Sequence, residues 1–164
     1  MSTGLAAFTL FHVLLSLAGI FAGLIVAYGL LTARRMDGWT SIFLVTTALT
    51  SITGYLFPFH KLLPSHILGA ISLVVLAIAV YARYSRGMAG AWRGTYVVTA
   101  VLSLYLNVFV LIAQLFAKVP ALHALAPTQS ETPFKIAQLG ALVVFLVLGY
   151  LCARNFHAEQ PSTA

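Results

Sequence analysis

Apolar residues run through this chain in five long blocks, Leu5–Thr32, Thr40–Phe57, His66–Tyr84, Thr95–Phe116 and Phe134–Ala153. Short polar or proline-bearing stretches separate them. A helix needs about 20 mostly apolar residues to cross a bilayer, so each block has a spanning length. The first is long enough that it must tilt or protrude. All six prolines fall between or after the blocks. Pro64-Ser65 and Thr132-Pro133 read as helix starts, with Ser65 and Thr132 as caps. The pattern predicts an all-α membrane protein of one domain, residues 1–164, built as a bundle of five transmembrane helices. The first block is too long for a cleaved signal peptide and lacks a preceding basic region, so it is expected to stay as a span.

Composition supports lipid as the solvent. Hydrophobic residues make up 61% of the chain and charged residues 7%, against roughly 25% charged in a soluble domain. The formal net charge is +6, but the basic residues are dispersed and read as membrane anchors, not as a nucleic-acid surface. Cys152 is the only cysteine, which excludes an intrachain disulfide and CxxC chemistry. Asp37, Glu131 and Glu159 are the only carboxylates. Acid–base catalysis has little to use, and no nucleophile with an adjacent base is visible.

The basic residues also orient the chain. Arg34 and Arg35 follow block one, Arg83, Arg86 and Arg93 surround the link after block three, and Arg154 ends block five. Lys61, Lys118 and Lys135 occupy the alternate links. The positive-inside rule puts the arginine end in the cytoplasm, the N-terminus outside and the C-terminus inside, in a bacterial inner membrane.

In that orientation His12, His60, His66 and His123 fall toward the outer face. His12 precedes Arg34 by 22 residues and His66 precedes Arg83 by 17, roughly 33 Å and 26 Å along a helix. Tyr55, Gln114 and Gln138 share this layer, and Asn107 with Thr46, Thr50 and Thr53 lie slightly deeper. The inner half offers almost nothing polar. The polarity reads as a cup open to the periplasm.

Small residues lie beside both histidines. Ser16, Gly19 and Gly23 share a face with His12, and Gly69 and Ala70 follow His66. Such faces accept a flat cofactor or another helix, and Gly19-x-x-x-Gly23 also suits a homo-oligomer contact. The sharp expectation is a pocket lined by His12, His66, Tyr55, Asn107 and Gln114 that binds haem b or a quinone. His12 and His66 would be the ligands to the haem iron, and the protein a redox or electron-transfer component. A divalent-metal site from His12, His60, His66, His123 and Glu131 is a weaker expectation, because no metal-binding spacing is present. The alternatives are a small channel or transporter, and a structural or accessory membrane subunit without chemistry. No ionisable group lies deep in any block and no block is broken by proline, which weighs against transport.

The apolar, proline-punctuated link 117–133 is expected to fold over the outer face as a lid, with Leu122 and Leu125 pointing down. The stretch "NVFVLIAQLFAKVPALHALAPTQSETPFKIAQ" resembles a pattern in small uncharacterised bacterial multi-pass inner-membrane proteins. That resemblance covers blocks two to five and implies the membrane fold, with no activity and no functional residue to carry over. "HILG" at the start of block three is faintly similar to haem-binding and related small membrane families.

Overall fold

The computed structural model describes residues 3–57 and 64–157, and every regular element within them is helical. Helix α1 covers Thr3–Leu31, α2 Asp37–Gly54 and α3 Pro64–Val80. A π-helical turn, Tyr81–Ser85, continues α3. Helices α4, α5 and α6 follow at Ala91–Lys118, Pro120–Leu125 and Thr132–Asn155. Four helical segments are long and apolar enough to cross a membrane: Thr3–Leu31, His66–Ser85, Ala91–Lys118 and Thr132–Asn155.

Helix α2 is not among the four, because its threonines and Asp37 dilute its apolar content. Its pattern is inverted relative to a soluble helix. Thr40, Thr47, Thr50 and Thr53 are buried, while Ile42, Val45, Leu49 and Ile52 are exposed. Apolar side chains outward and hydroxyls inward is the arrangement expected when the surroundings are lipid. Several hydroxyls also donate to their own helix: Thr46 to the Ile42 carbonyl at 2.7 Å, Thr50 to Thr46 at 2.8 Å and Thr53 to Leu49 at 2.7 Å. Such back-bonding satisfies the hydroxyl locally and lowers the cost of placing it away from water.

Helix α1 packs chiefly on α2, and α4 packs on α1, α3 and α6. Glycine permits the tightest approach. A Cβ on Gly23 would stand 2.6 Å from Leu104 Cδ1 and 2.9 Å from Phe43 Cε2. The core around this junction includes Ala22, Val26, Phe43, Val97, Ala100 and Leu104. Helix α6 is peripheral. Only Gln138 and Cys152 are buried on it, and Ile136, Leu139, Val143, Val144 and Val147 face outward.

The links gather at two ends. At the arginine end, Asn155 donates to the Leu31 carbonyl at 3.2 Å, joining the ends of α6 and α1. Arg83 pairs there with Asp37, joining the π turn to the start of α2. At the histidine end, α5 breaks the link between α4 and α6. Pro120 fits the first turn of α5, where its missing N–H costs nothing. Ala126 is fully buried, and Gln129 donates to the Ala113 carbonyl at 2.8 Å. The expected lid geometry differs: Leu122 is half-buried and Leu125 is 57% exposed. Helix α5 has no buried residue and packs on α4.

Two expected caps also differ. The N-cap of α6 is Glu131, one residue before Thr132. Its carboxylate turns back to accept from the Thr128 N–H, the Thr128 hydroxyl and the Ser130 N–H. Desolvation raises the pKa of Glu131, but the bonds from Thr128 and Ser130 outweigh it and hold the carboxyl below its ordinary value. Helix α3 begins at Pro64, which places Ser65 inside its first turn.

Candidate functional site

Of the five residues expected to line one pocket, four lie at three helix junctions, and Gln114 is at none of them. His12 lies between α1 and α2. Its Nδ1 is 2.8 Å from Thr53 Oγ1. Since the Thr53 hydroxyl already donates to the Leu49 carbonyl, His12 Nδ1–H is the donor and the Thr53 oxygen the acceptor. The imidazole also meets Phe57 edge-on, with ring centroids 5.1 Å apart, and Phe57 in turn packs on Phe8 at 4.9 Å.

Tyr55 and His66 sit between α2 and α3. The Tyr55 hydroxyl donates to the His66 carbonyl, and the two rings lie 5.6 Å apart. The same tyrosine covers Gly69: a Cβ there would stand 3.2 Å from both Tyr55 Cε2 and its hydroxyl oxygen. Thr53 and Tyr55 are two positions apart, about 200° around the helix. The end of α2 thus presents one side to His12 and another to His66.

Asn107 lies at the meeting of α1, α2 and α4. Its side-chain amide donates to Thr47 Oγ1 at 3.3 Å. A Cβ on Gly19 would stand 3.1 Å from the Thr46 and Thr47 hydroxyl oxygens and 3.3 Å from the Asn107 amide nitrogen. The glycine face of α1 is therefore filled by α2 and α4 of the same chain, as is the Gly69 face by Tyr55. Gln114 is exposed at the end of α4. Gln138, one of the layer's outer members, donates to the Phe109 carbonyl at 3.1 Å.

His123 is exposed on α5. His60 and Lys61 lie outside the described residues. Among the described residues, no three His, Cys, Asp or Glu side chains gather in a way that could hold a metal ion.

Two open surface cavities lie elsewhere. One of about 420 Å³ lies at the arginine end, lined by Ala33, Arg34, Arg35, Met36 and His157. A second, of about 370 Å³, is a groove between α2 and α3 lined by Ser41, Leu44, Val45, Ala48, Val80 and Tyr84. The Ser41 and Tyr84 hydroxyls meet across that groove at 3.3 Å.

The sequence reading missed one charged cluster. Arg83 belongs to the π turn and its side chain is only 4% exposed. Its Nη2 donates to Asp37, Nη1 approaches the Met88 sulfur at 3.9 Å, and the guanidinium lies 5.1 Å from the Tyr96 ring centroid and 5.6 Å from that of Tyr84. Arg35 Nε is 3.6 Å from the same Asp37 oxygen. An arginine ending an apolar block reads from sequence as a snorkelling anchor. The one available signal was Asp37, a carboxylate close in sequence to Arg34 and Arg35.

No protein-family model, curated protein or solved structure matches the chain.

Proposed function

We propose that the protein is a multi-pass inner-membrane bundle of five spanning helices that serves as a structural or accessory membrane subunit without chemistry of its own. The observation that carries this reading is the use of the polar layer. His12 bonds Thr53, Asn107 bonds Thr47, Tyr55 bonds the His66 carbonyl and Gln138 bonds the Phe109 carbonyl. Each bond joins two helices, and protein atoms fill the glycine faces that would otherwise receive a flat ligand. Interhelical bonds of this kind are the usual role of polar side chains in membrane bundles.

The fifth span is α2. Its 18 residues give roughly 27 Å of helix, short of the hydrocarbon thickness by an amount that local thinning accommodates. Its exposed apolar stripe and back-bonded hydroxyls support a place in lipid. The arginine end is then cytoplasmic and the histidine end periplasmic.

A second reading rests on His12 alone. Metal-ligating histidines donate their other ring N–H to a fixed acceptor, and the Nδ1–H bond to Thr53 has that form. In this reading the layer binds haem b or a quinone, His12 with His66 supplies the axial ligands, and the protein is an electron-transfer component.

The absorption spectrum of the purified protein, with mass spectrometry of a solvent extract, separates the two. The accessory reading expects no Soret band and no stoichiometric quinone. A stoichiometric cofactor in either assay overturns it.

A further inference from the structure

We propose that the cavity between the end of α1 and the end of α6 is a phosphate-binding site, with Arg34 and Arg35 as its cationic partners and His157 opposite them. Three observations converge there. First, the cavity exists and its lining is basic: Arg34, Arg35 and His157, with Ala33 and Met36.

Second, among the described residues the charge of that lining is not matched by carboxylates. Among the described residues Asp37 is the only carboxylate at this end, and its oxygen is held by the buried Arg83 guanidinium. Arg35 reaches the same oxygen only through Nε at 3.6 Å, and no described carboxylate pairs with Arg34. Among the described residues, Arg34 and Arg35 therefore face the cavity without a carboxylate of their own. Guanidinium groups match phosphate oxygens with paired N–H donors, which makes phosphate the best-suited anion.

Third, the local backbone fixes the site. Ala33 adopts a left-handed conformation (φ 54°) that closes α1, with the Arg34 N–H bonded to the Gly29 carbonyl at 2.8 Å. That turn holds Arg34 and Arg35 at the mouth. Across the cavity, His157 Nδ1–H donates to the Asn155 carbonyl at 2.9 Å, which orients the imidazole. Asn155 is itself tied to Leu31.

The phosphate could belong to an anionic lipid headgroup or to a free phosphate compound, since basic pockets at the ends of membrane helices accept headgroups. The test uses the full chain in neutral detergent. Native mass spectrometry counts bound phosphatidylglycerol against phosphatidylcholine, and a melting curve measures stabilisation by inorganic phosphate. Preference for phosphatidylglycerol with no phosphate effect identifies a headgroup site. Stabilisation by phosphate with no lipid preference identifies a free-phosphate site.

In either case Arg34→Gln with Arg35→Gln should weaken binding about thirtyfold, the product of two lost cationic contacts. Arg34→Gln alone, which keeps Arg35 beside Asp37, should account for about fivefold of it. Arg86→Gln removes an equal charge at the same end but outside the cavity and should leave binding unchanged. The proposal is overturned if neither ligand binds selectively, if a folded double variant binds like the wild type, or if Arg86→Gln weakens binding as much as the double change.

Discussion

Removing the carboxylate of Asp37 should destabilise the arginine end out of proportion to an exposed side chain. Asp37 is 66% exposed, whereas the Arg83 side chain it pairs with is 4% exposed. Without Asp37, the guanidinium keeps a thioether contact at 3.9 Å and two aromatic faces, and its Nε is already buried without a partner among the described residues. Stranding one member of a buried pair costs about 3–5 kcal/mol. The exposed side of Asp37 lets water or headgroups reach Nη2, which discounts the loss to about 1–3 kcal/mol for Asp37→Ala. Asp37→Asn keeps an acceptor oxygen and should lose roughly half as much. Arg83→Met combined with Asp37→Asn removes the stranded charge and should return to within about 1 kcal/mol of the wild type. Reversible unfolding in mixed micelles, followed by tryptophan fluorescence, measures these differences. Trp39 and Trp92 both lie near this end, on the first turns of α2 and α4. A loss below about 0.5 kcal/mol for Asp37→Ala, or a double variant as unstable as the two single losses added, refutes the pairing argument.

Three further outcomes follow from the packing. Gly23→Leu should break the α1–α2–α4 junction, because even a Cβ meets Leu104 and Phe43 inside contact distance; its overpacking should cost at least about 1–3 kcal/mol in the same unfolding assay. Asn107→Ala removes one interhelical bond to Thr47 and should cost only about 0.6 kcal/mol, so a loss several times larger would mean that the amide holds something more than Thr47. Cys152 is fully buried against α1, with its thiol 3.6 Å from the Ala27 carbonyl; maleimide should label it slowly in the folded protein and fast in denaturant, and prompt labelling of folded protein would contradict the docking of α6 on α1.

The helical plan was legible because lipid imposes it. Every backbone polar group must be satisfied within the segment, so long apolar runs become helices whatever their neighbours. The block read as Leu5–Thr32 is helix Thr3–Leu31, and the block read as Phe134–Ala153 is helix Thr132–Asn155. The threonine stripe of α2 was visible as a polar face, and its back-bonding follows from the local geometry of any helix.

What was not legible depends on contacts between distant residues. Whether Gly19 and Gly69 receive a cofactor or a helix cannot be read from their own neighbours. It is decided by Thr46, Thr47 and Asn107 in one case and by Tyr55 in the other. Arg83 is buried within a π turn and pairs there with Asp37, 46 positions away. Leu125 belongs to the same class: the sequence marks it as apolar, but only the path of α5 along α4 decides that it faces outward.

The five-span topology depends most on α2 crossing the bilayer, since α2 is the one long helix outside the four candidate spans. An odd number of crossings puts the two ends of the chain on opposite sides, and an even number puts them on the same side. Fusing paired phosphatase and fluorescent-protein reporters to each end measures this directly. Five spans with the arginine end inside predict phosphatase activity only at the N-terminus and fluorescence only at the C-terminus. The same reporter active at both ends would contradict the fifth span, and the reversed pattern would contradict the cytoplasmic placement of the arginine end.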